Sequence, residues 1–67
     1  MNDFLTRLVD EQLELQQRFD ELSSFSASGR IGGLEPPHRR LVRMQLSAMS
    51  LYNEILKDRI LLLTNNK

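Results

Sequence analysis

The most informative feature of the chain is a pair of apolar stripes on one helical segment, residues 41–63. With about 100° of rotation per residue in a helix, the centres of the stripes lie roughly 130° apart. A surface helix usually carries one apolar stripe, so two stripes predict packing partners on two sides. The first stripe consists of Val42, Leu46, Met49, Leu56, Ile60 and Leu63, and the second stripe consists of Leu41, Met44, Ala48, Leu51, Ile55 and Leu62.

A heptad-like apolar seam near the start of the chain predicts a first helix. Asn2 or Asp3 can cap it, because the side-chain oxygen of either residue can accept a hydrogen bond from a free backbone N–H. Gln12 is the polar member of the seam, and two interpretations stay open: it fixes register or oligomer state, or it lies at an edge. The seam consists of Leu5, Leu8, Gln12, Leu15, Phe19 and Leu22.

The middle of the chain predicts a turn between two helices. Residues 23–33 are rich in Ser and Gly, which favour turns. Pro36 and Pro37 can begin a helix, because the first helical N–H groups have no partner anyway. We predict a single domain over residues 1–67, with helix 1 over about 3–26, a loop over 27–35 and helix 2 over about 36–63.

Two long helices joined by a short loop predict an all-α fold, an antiparallel two-helix hairpin. Helix 1 can cover one stripe of helix 2. The other stripe would be a large apolar patch for a monomer. We therefore predict that hairpins assemble into a homo-oligomeric helical bundle through Leu51, Ile55 and Leu62.

Composition strengthens the expectation of assembly. The chain has 67 residues, no cysteine and one histidine. A domain of about this size is marginal alone and usually needs disulfides, a metal or oligomerisation. We expect no disulfide, metal site or cofactor, which leaves oligomerisation. No apolar run reaches the ~18 residues of a membrane span, and the first residues lack a signal-peptide pattern. We expect a cytoplasmic protein without a membrane partner.

Charge is balanced overall but unevenly distributed. Residues 1–22 hold six acids and two bases, and residues 23–67 hold seven bases and three acids, giving net charges of −4 and +4. One interpretation is an acidic helix docked beside a basic one, and the other is an anion site in the basic half. The candidate site is a basic cluster at the loop and the start of helix 2: Arg30, His38, Arg39, Arg40 and Arg43.

Two explanations of the basic cluster stay open. A helix N-terminus offers free N–H groups and a partial positive charge, and Gly32 and Gly33 allow close backbone approach, so the cluster could bind phosphate. The Gly-Arg-Ile-Gly-Gly segment matches neither a P-loop nor a dinucleotide fingerprint. The alternative is a solvated face whose arginines pair with acids of helix 1.

A polar row of residues spaced by seven runs between the two stripes: Gln45, Tyr52 and Arg59. The ordinary interpretation is that Tyr and Arg pack their apolar parts while their polar ends reach solvent. The functional interpretation is a polar slot at a subunit junction that meets a ligand or symmetry mates. Asn53 lies within the first stripe, and a buried Asn needs hydrogen-bond partners.

Enzymatic and nucleic-acid functions are disfavoured. His38 is the lone histidine, there is no cysteine, and neither a His-Glu-x-x-His nor a Gly-x-Ser-x-Gly motif occurs, so we expect no catalytic residues. Nucleic-acid binding is disfavoured because the net charge is zero and the aromatic residues fit a core or seam better than an exposed stacking face.

One set of residues spread over nearly the whole chain forms a recurring two-helix pattern: Asp3, Phe4, Arg18, Leu22, Phe25, Leu34, Gln45, Met49, Tyr52, Leu56, Arg59 and Ile60. On these residues the layout resembles a class of small phage-encoded helical-hairpin proteins of unknown function. Helix 2 also has a proline-led basic start, from Pro36 to Arg43, followed by Asn53. In these features it is similar to the C-terminal helix of phage cyclic-nucleotide sponges that block CBASS immunity. That second resemblance implies an all-helical homo-oligomer that binds cyclic nucleotides at subunit interfaces without cleaving them.

These observations lead to two functional hypotheses. The first is an immune-evasion sponge that sequesters an anionic nucleotide and acts in the host cytoplasm if phage-encoded. The second is a coiled-coil adaptor that binds a host or phage protein through helix 2. For the sponge, the predicted ligand-binding residues are Arg30, His38, Arg39, Arg43, Tyr52 and Arg59.

Overall fold

The computed structural model describes residues 3–65 and consists of two long antiparallel helices. Helix α1 spans Asp3–Ala27, a short 3₁₀ turn spans Arg30–Gly33, and helix α2 spans Pro36–Asn65. The predicted all-α antiparallel hairpin is confirmed. α1 ends one residue and α2 two residues later than predicted. Asn2, one of the two predicted caps of helix 1, lies outside the described residues.

The turn begins where Gly29 adopts a left-handed backbone conformation, with φ of 88°. Residues with a side chain rarely adopt this conformation, so glycine favours the end of the helix here. The Ser28 N–H still bonds the carbonyl of Ser24 at 2.9 Å, and the Ser28 hydroxyl donates to the carbonyl of Phe25 at 2.8 Å. α2 then begins at Pro36, and the Arg39 N–H donates to the carbonyl of Glu35 at 3.0 Å.

The core lies between the two helices. Leu8 and Leu15 of α1 pack with Leu56 of α2, which is fully buried, and Met49 and Ile60 cover the edge of this cluster. These α2 residues belong to the first stripe, so α1 covers that stripe. The periodicity of both helices therefore specifies one shared seam.

The second stripe faces away from α1 and is exposed along its whole length. Leu51 is 64% exposed and Leu62 is 72% exposed. The hairpin is a rod of 49 × 15 × 14 Å, so no other part of the described chain folds back over this face. Neither helix within residues 3–65 combines the length and apolarity required to cross a membrane.

Candidate functional site

A chain of side-chain amides crosses the centre of the helix seam. Gln12 Nε2 donates to Asn53 Oδ1 at 3.0 Å, and Asn53 Nδ2 donates to Gln16 Oε1 at 2.7 Å. Gln16 Nε2 then donates to Asp20 Oδ1 at 3.0 Å on the exposed surface of α1. Asn53 is buried, and within residues 3–65 every buried side-chain polar atom has a partner. Gln12 therefore pairs across the seam and fixes the register of α1 on α2.

The amide chain is a structural feature of the hairpin. Its central member, Asn53, is buried and is bonded through both its oxygen and its nitrogen, so it is not available to a ligand. A residue that must bind a ligand needs exposed groups, and those lie on either side of the seam.

Arg59 borders a cleft between the C-terminal half of α2 and the start of α1. The cleft encloses about 250 Å³, and its lining residues are Phe4, Arg7, Leu8, Glu11 and Arg59. The Arg59 guanidinium carbon lies 5.7 Å from the centre of the Phe4 ring, within the range of a cation–π contact. Two guanidinium groups and one carboxylate give the lining a net positive charge.

The polar row runs along the side of α2 that leads into this cleft. Gln45, Tyr52 and Arg59 are all exposed. Residues spaced by seven on a helix drift by only about 20° per step, so these three side chains share one face. The structure therefore places Tyr52 two turns before Arg59 on the same side of the hairpin, next to the exposed second stripe.

The basic cluster lies at the other end of the hairpin, at the loop and the first turns of α2. The Arg30 guanidinium lies over the Phe25 ring, 5.8 Å from its centre. His38 and Arg43 are exposed and Arg39 is half-buried. Within residues 3–65 the ion pair that meets ordinary distance limits joins Arg18 to Glu14 inside α1, at 3.9 Å. No carboxylate of that described part lies within ion-pair distance of the cluster.

The predicted ligand-binding residues form two groups that a single hairpin keeps apart. Arg39 and Arg59 are separated by twenty positions of α2, roughly 30 Å along the helix. Arg43 and Tyr52 are nine positions apart, which places them about 180° from each other around the helix. Arg30, His38, Arg39 and Arg43 form the loop-end group, and Tyr52 and Arg59 form the cleft-end group.

The sequence pattern did not indicate the aromatic partners of Arg30 and Arg59. Phe4 and Phe25 looked like part of a core or seam, yet each has an arginine over its ring. The register of the two helices could have been inferred from the sequence, because pairing Gln12 with Asn53 places the start of α1 beside the last turns of α2. Gln16, the second partner of Asn53, lies one turn after Gln12 and could have been found by the same argument.

The fold and its exposed charges define a class, a small all-helical hairpin with unpaired cationic groups beside aromatic rings. Within residues 3–65, no group of three or more potential metal ligands is present. The chain belongs to the Sequestin family, whose model matches residues 2–62. The family name indicates sequestration, a non-catalytic role, and agrees with the resemblance to small sequestering proteins. Comparison with curated proteins and with solved structures found no match.

Proposed function

We propose that this protein is a non-enzymatic sponge, encoded by a phage, that sequesters a cyclic oligonucleotide or related nucleotide second messenger. It binds as a homo-oligomer in the host cytoplasm and lowers the free concentration of an immune signal such as those of CBASS. Membership of the Sequestin family supports the sequestering role. The resemblance of helix 2 to phage sponges supports the class of ligand.

The observation that carries this proposal is the set of guanidinium groups without a carboxylate partner in the described chain. Arg39 and Arg43 are four positions apart and share a face of α2. Charge-assisted hydrogen bonds from arginine to phosphate are among the strongest in proteins. Arg30 adds a further guanidinium group at the turn, and His38 in the first turn of α2 offers a ring N–H donor. A small ligand with one or more phosphates fits this chemistry.

The cleft-end group supplies what the loop-end group lacks, an exposed aromatic ring. Tyr52 is 43% exposed, so one face of its phenol ring can stack on a nucleobase. Arg59 lies on the same side of α2 and can hold a phosphate while its guanidinium packs on Phe4. Stacking on a base together with a bound phosphate is the usual basis for recognising a nucleotide.

Calorimetry of the purified protein tests the proposal. The panel comprises cyclic di-AMP, cyclic GMP–AMP, cyclic tri-AMP and cyclic ADP-ribose, with linear AMP as the matched non-cyclic control. We expect one cyclic ligand to bind well below tens of micromolar, and denaturation of the complex to release it intact. Absence of binding to every cyclic ligand at tens of micromolar, or release of a cleaved product, would contradict the proposal.

The exposed second stripe supports a second candidate, a non-enzymatic adaptor that binds a host or phage protein through α2. An apolar face of this length can take up an amphipathic helix of another protein. Affinity purification from infected cells distinguishes the two functions. A stoichiometric protein partner with no nucleotide in the purified material favours the adaptor, and a co-purified nucleotide without a second protein favours the sponge.

A further inference from the structure

We propose that a second copy of this chain docks on the second stripe in antiparallel orientation, with its two-fold axis between Leu51 and Tyr52. The exposed residues on this side of α2 are symmetric about that point. Counted outward from the point between Leu51 and Tyr52, successive members are three, four and three positions apart in both directions along the chain. The symmetric set is Leu41, Met44, Ala48 and Leu51 on one side and Tyr52, Ile55, Arg59 and Leu62 on the other.

Any regular helix has this positional symmetry, so the residue types decide whether the stripe fits its own reversed copy. An antiparallel pair sets Leu41 at the level of the partner's Leu62, and Ala48 at the level of the partner's Ile55. The small Ala48 thus meets the larger Ile55, which allows the two backbones to approach. All eight members are exposed in the single hairpin, and the strip from Leu41 to Leu62 is roughly 32 Å long by the helical rise. Seven of the eight members are apolar or aromatic, Arg59 being the exception, and an exposed strip of this kind marks an interaction surface.

Charge favours the antiparallel arrangement over a parallel one. Arg40 and Asp58 lie on the same flank of the stripe. In the antiparallel pair, Arg40 of one copy is offset by about 8 Å along the helix axis from the partner's Asp58. Parallel packing would set Arg40 beside Arg40 and the two basic clusters side by side. Antiparallel packing instead sets each basic cluster beside the last turn of the partner's α2, whose free carbonyls carry a partial negative charge.

The same arrangement completes a groove that a single hairpin cannot form. α1 covers the first stripe and the partner would cover the second, and the stripe centres are roughly 130° apart. Gln45, Tyr52 and Arg59 lie within that sector, so they face the groove between α1 and the partner's α2. Arg39 and Arg43 lie outside this sector, on the side of α2 that faces away from the groove.

The two copies contribute equivalent residues to this groove. Measured along the helix axis, the two copies of Tyr52 are offset by about 1.5 Å at the two-fold axis. By the same measure, Gln45 is offset by about 1.5 Å from the partner's Arg59. The groove therefore has paired aromatic rings at its centre and a guanidinium group on each side. This symmetry fits a cyclic dinucleotide, which has two bases and two phosphates. The ligand assignment rests on the proposed function, and the docking arrangement does not.

Disulfide trapping tests the docking without any ligand, because the natural chain has no cysteine. Leu41→Cys and Leu62→Cys are prepared separately, with tags of different size, mixed and oxidised. We expect a cross-link in the mixture and none in either variant alone, since the two copies of position 41 in an antiparallel pair are roughly 32 Å apart. A disulfide requires Cα atoms within about 7 Å.

Two further variants make every outcome decisive. Leu51→Cys lies at the two-fold axis and should cross-link with itself, whereas Leu61→Cys is exposed on another side of α2 and should form no cross-link. Self-cross-linking of Leu41→Cys would establish parallel packing and overturn the proposal. The proposal would also be overturned if light scattering showed the wild-type chain to be a monomer at high concentration and Leu51→Cys formed no cross-link.

The groove is tested separately, by binding of the cyclic ligand from the panel to Tyr52→Ala with Arg59→Ala. We expect an affinity loss of tenfold or more, and an unchanged affinity would overturn the groove as the ligand site. Leu51→Asp with Ile55→Asp should give a monomer with the same loss. If the wild-type chain binds no ligand but the mixed cross-link forms, the proposed function fails and the docking arrangement stands.

Discussion

Gln12 of α1 donates a hydrogen bond to the buried Asn53 of α2, across 3.0 Å in the middle of an apolar seam. A slip of α2 by one turn would move Asn53 away from its partners and place it among leucines. A buried amide without partners costs more free energy than the bond itself contributes. The pair therefore selects one register of the hairpin from several that the apolar pattern alone would allow.

Removing Asn53 should destabilise the hairpin by about 1–3 kcal/mol, because Gln12 and Gln16 lose their shared partner. The measurement is urea denaturation of Asn53→Ala at a fixed protein concentration. Gln17→Ala, at an exposed position of α1, is the matched control and should change stability by less than about 0.5 kcal/mol. A double mutant with Gln12→Ala should show a coupling of about 0.5–3 kcal/mol, and strictly additive effects would contradict a direct pairing.

Leu56 should be the most costly core residue to truncate. Its side chain is fully buried against Leu8 and Leu15, so Leu56→Ala removes buried apolar surface and leaves a cavity. We expect a loss of about 2–5 kcal/mol in thermal or urea unfolding. Leu61→Ala makes the same chemical change at a position that is 55% exposed and should cost less than about 0.5 kcal/mol. Equal effects would mean that the seam does not run through Leu56.

The seam could be predicted from sequence because helical period and loop length are local properties. Leu8, Leu15 and Leu56 follow the helical repeat, and Pro36 begins α2 where a proline is tolerated. The same repeat identified the second stripe, whose members are exposed in the hairpin. An apolar pattern predicts that a face will be covered, but it does not name the molecule that covers it.

The candidate site was less predictable because it depends on which residues meet across the seam. Grouping Arg43 with Arg59 followed from their shared charge, yet the helix separates them by sixteen positions, roughly 24 Å. The contact of Arg59 with Phe4 requires the register set by Asn53, which a helical wheel of either helix alone does not contain. Pairing the buried amides first would have given that register.

Gly29 should be the glycine on which the turn depends. Its φ of 88° is a left-handed conformation that a side chain strains, although no atom lies within 4 Å of an added Cβ. We expect Gly29→Ala to lower stability by about 1–2 kcal/mol through backbone strain alone. Gly32→Ala is the control, because an added Cβ there also meets nothing and φ is not positive. It should be neutral or stabilising by up to about 1 kcal/mol, and equal losses at both positions would contradict this account.

The arginines of the loop-end group should affect ligand binding rather than the stability of the hairpin. Arg39→Ala with Arg43→Ala removes two guanidinium groups that have no carboxylate partner within residues 3–65. Each charge-assisted hydrogen bond to a phosphate contributes about 1.5–3 kcal/mol. If the phosphates bind at the loop end, the double variant should weaken binding of the cyclic ligand at least tenfold. If they bind in the groove beside Tyr52 and Arg59, only the small loss from long-range electrostatics should remain. Light scattering should show the same oligomer as the wild type, because both residues lie outside the second stripe.

A matched control removes the same charge elsewhere, with Arg18→Ala and Lys57→Ala, both exposed. Net charge falls equally in the two variants, so long-range attraction of an anion changes by a similar amount. An affinity loss confined to the Arg39 and Arg43 variant therefore reports direct contact, and equal small losses in both report only general electrostatics. In the second case the phosphate contacts belong to Arg59, and the loop-end group is a solvated face that keeps the hairpin end positive.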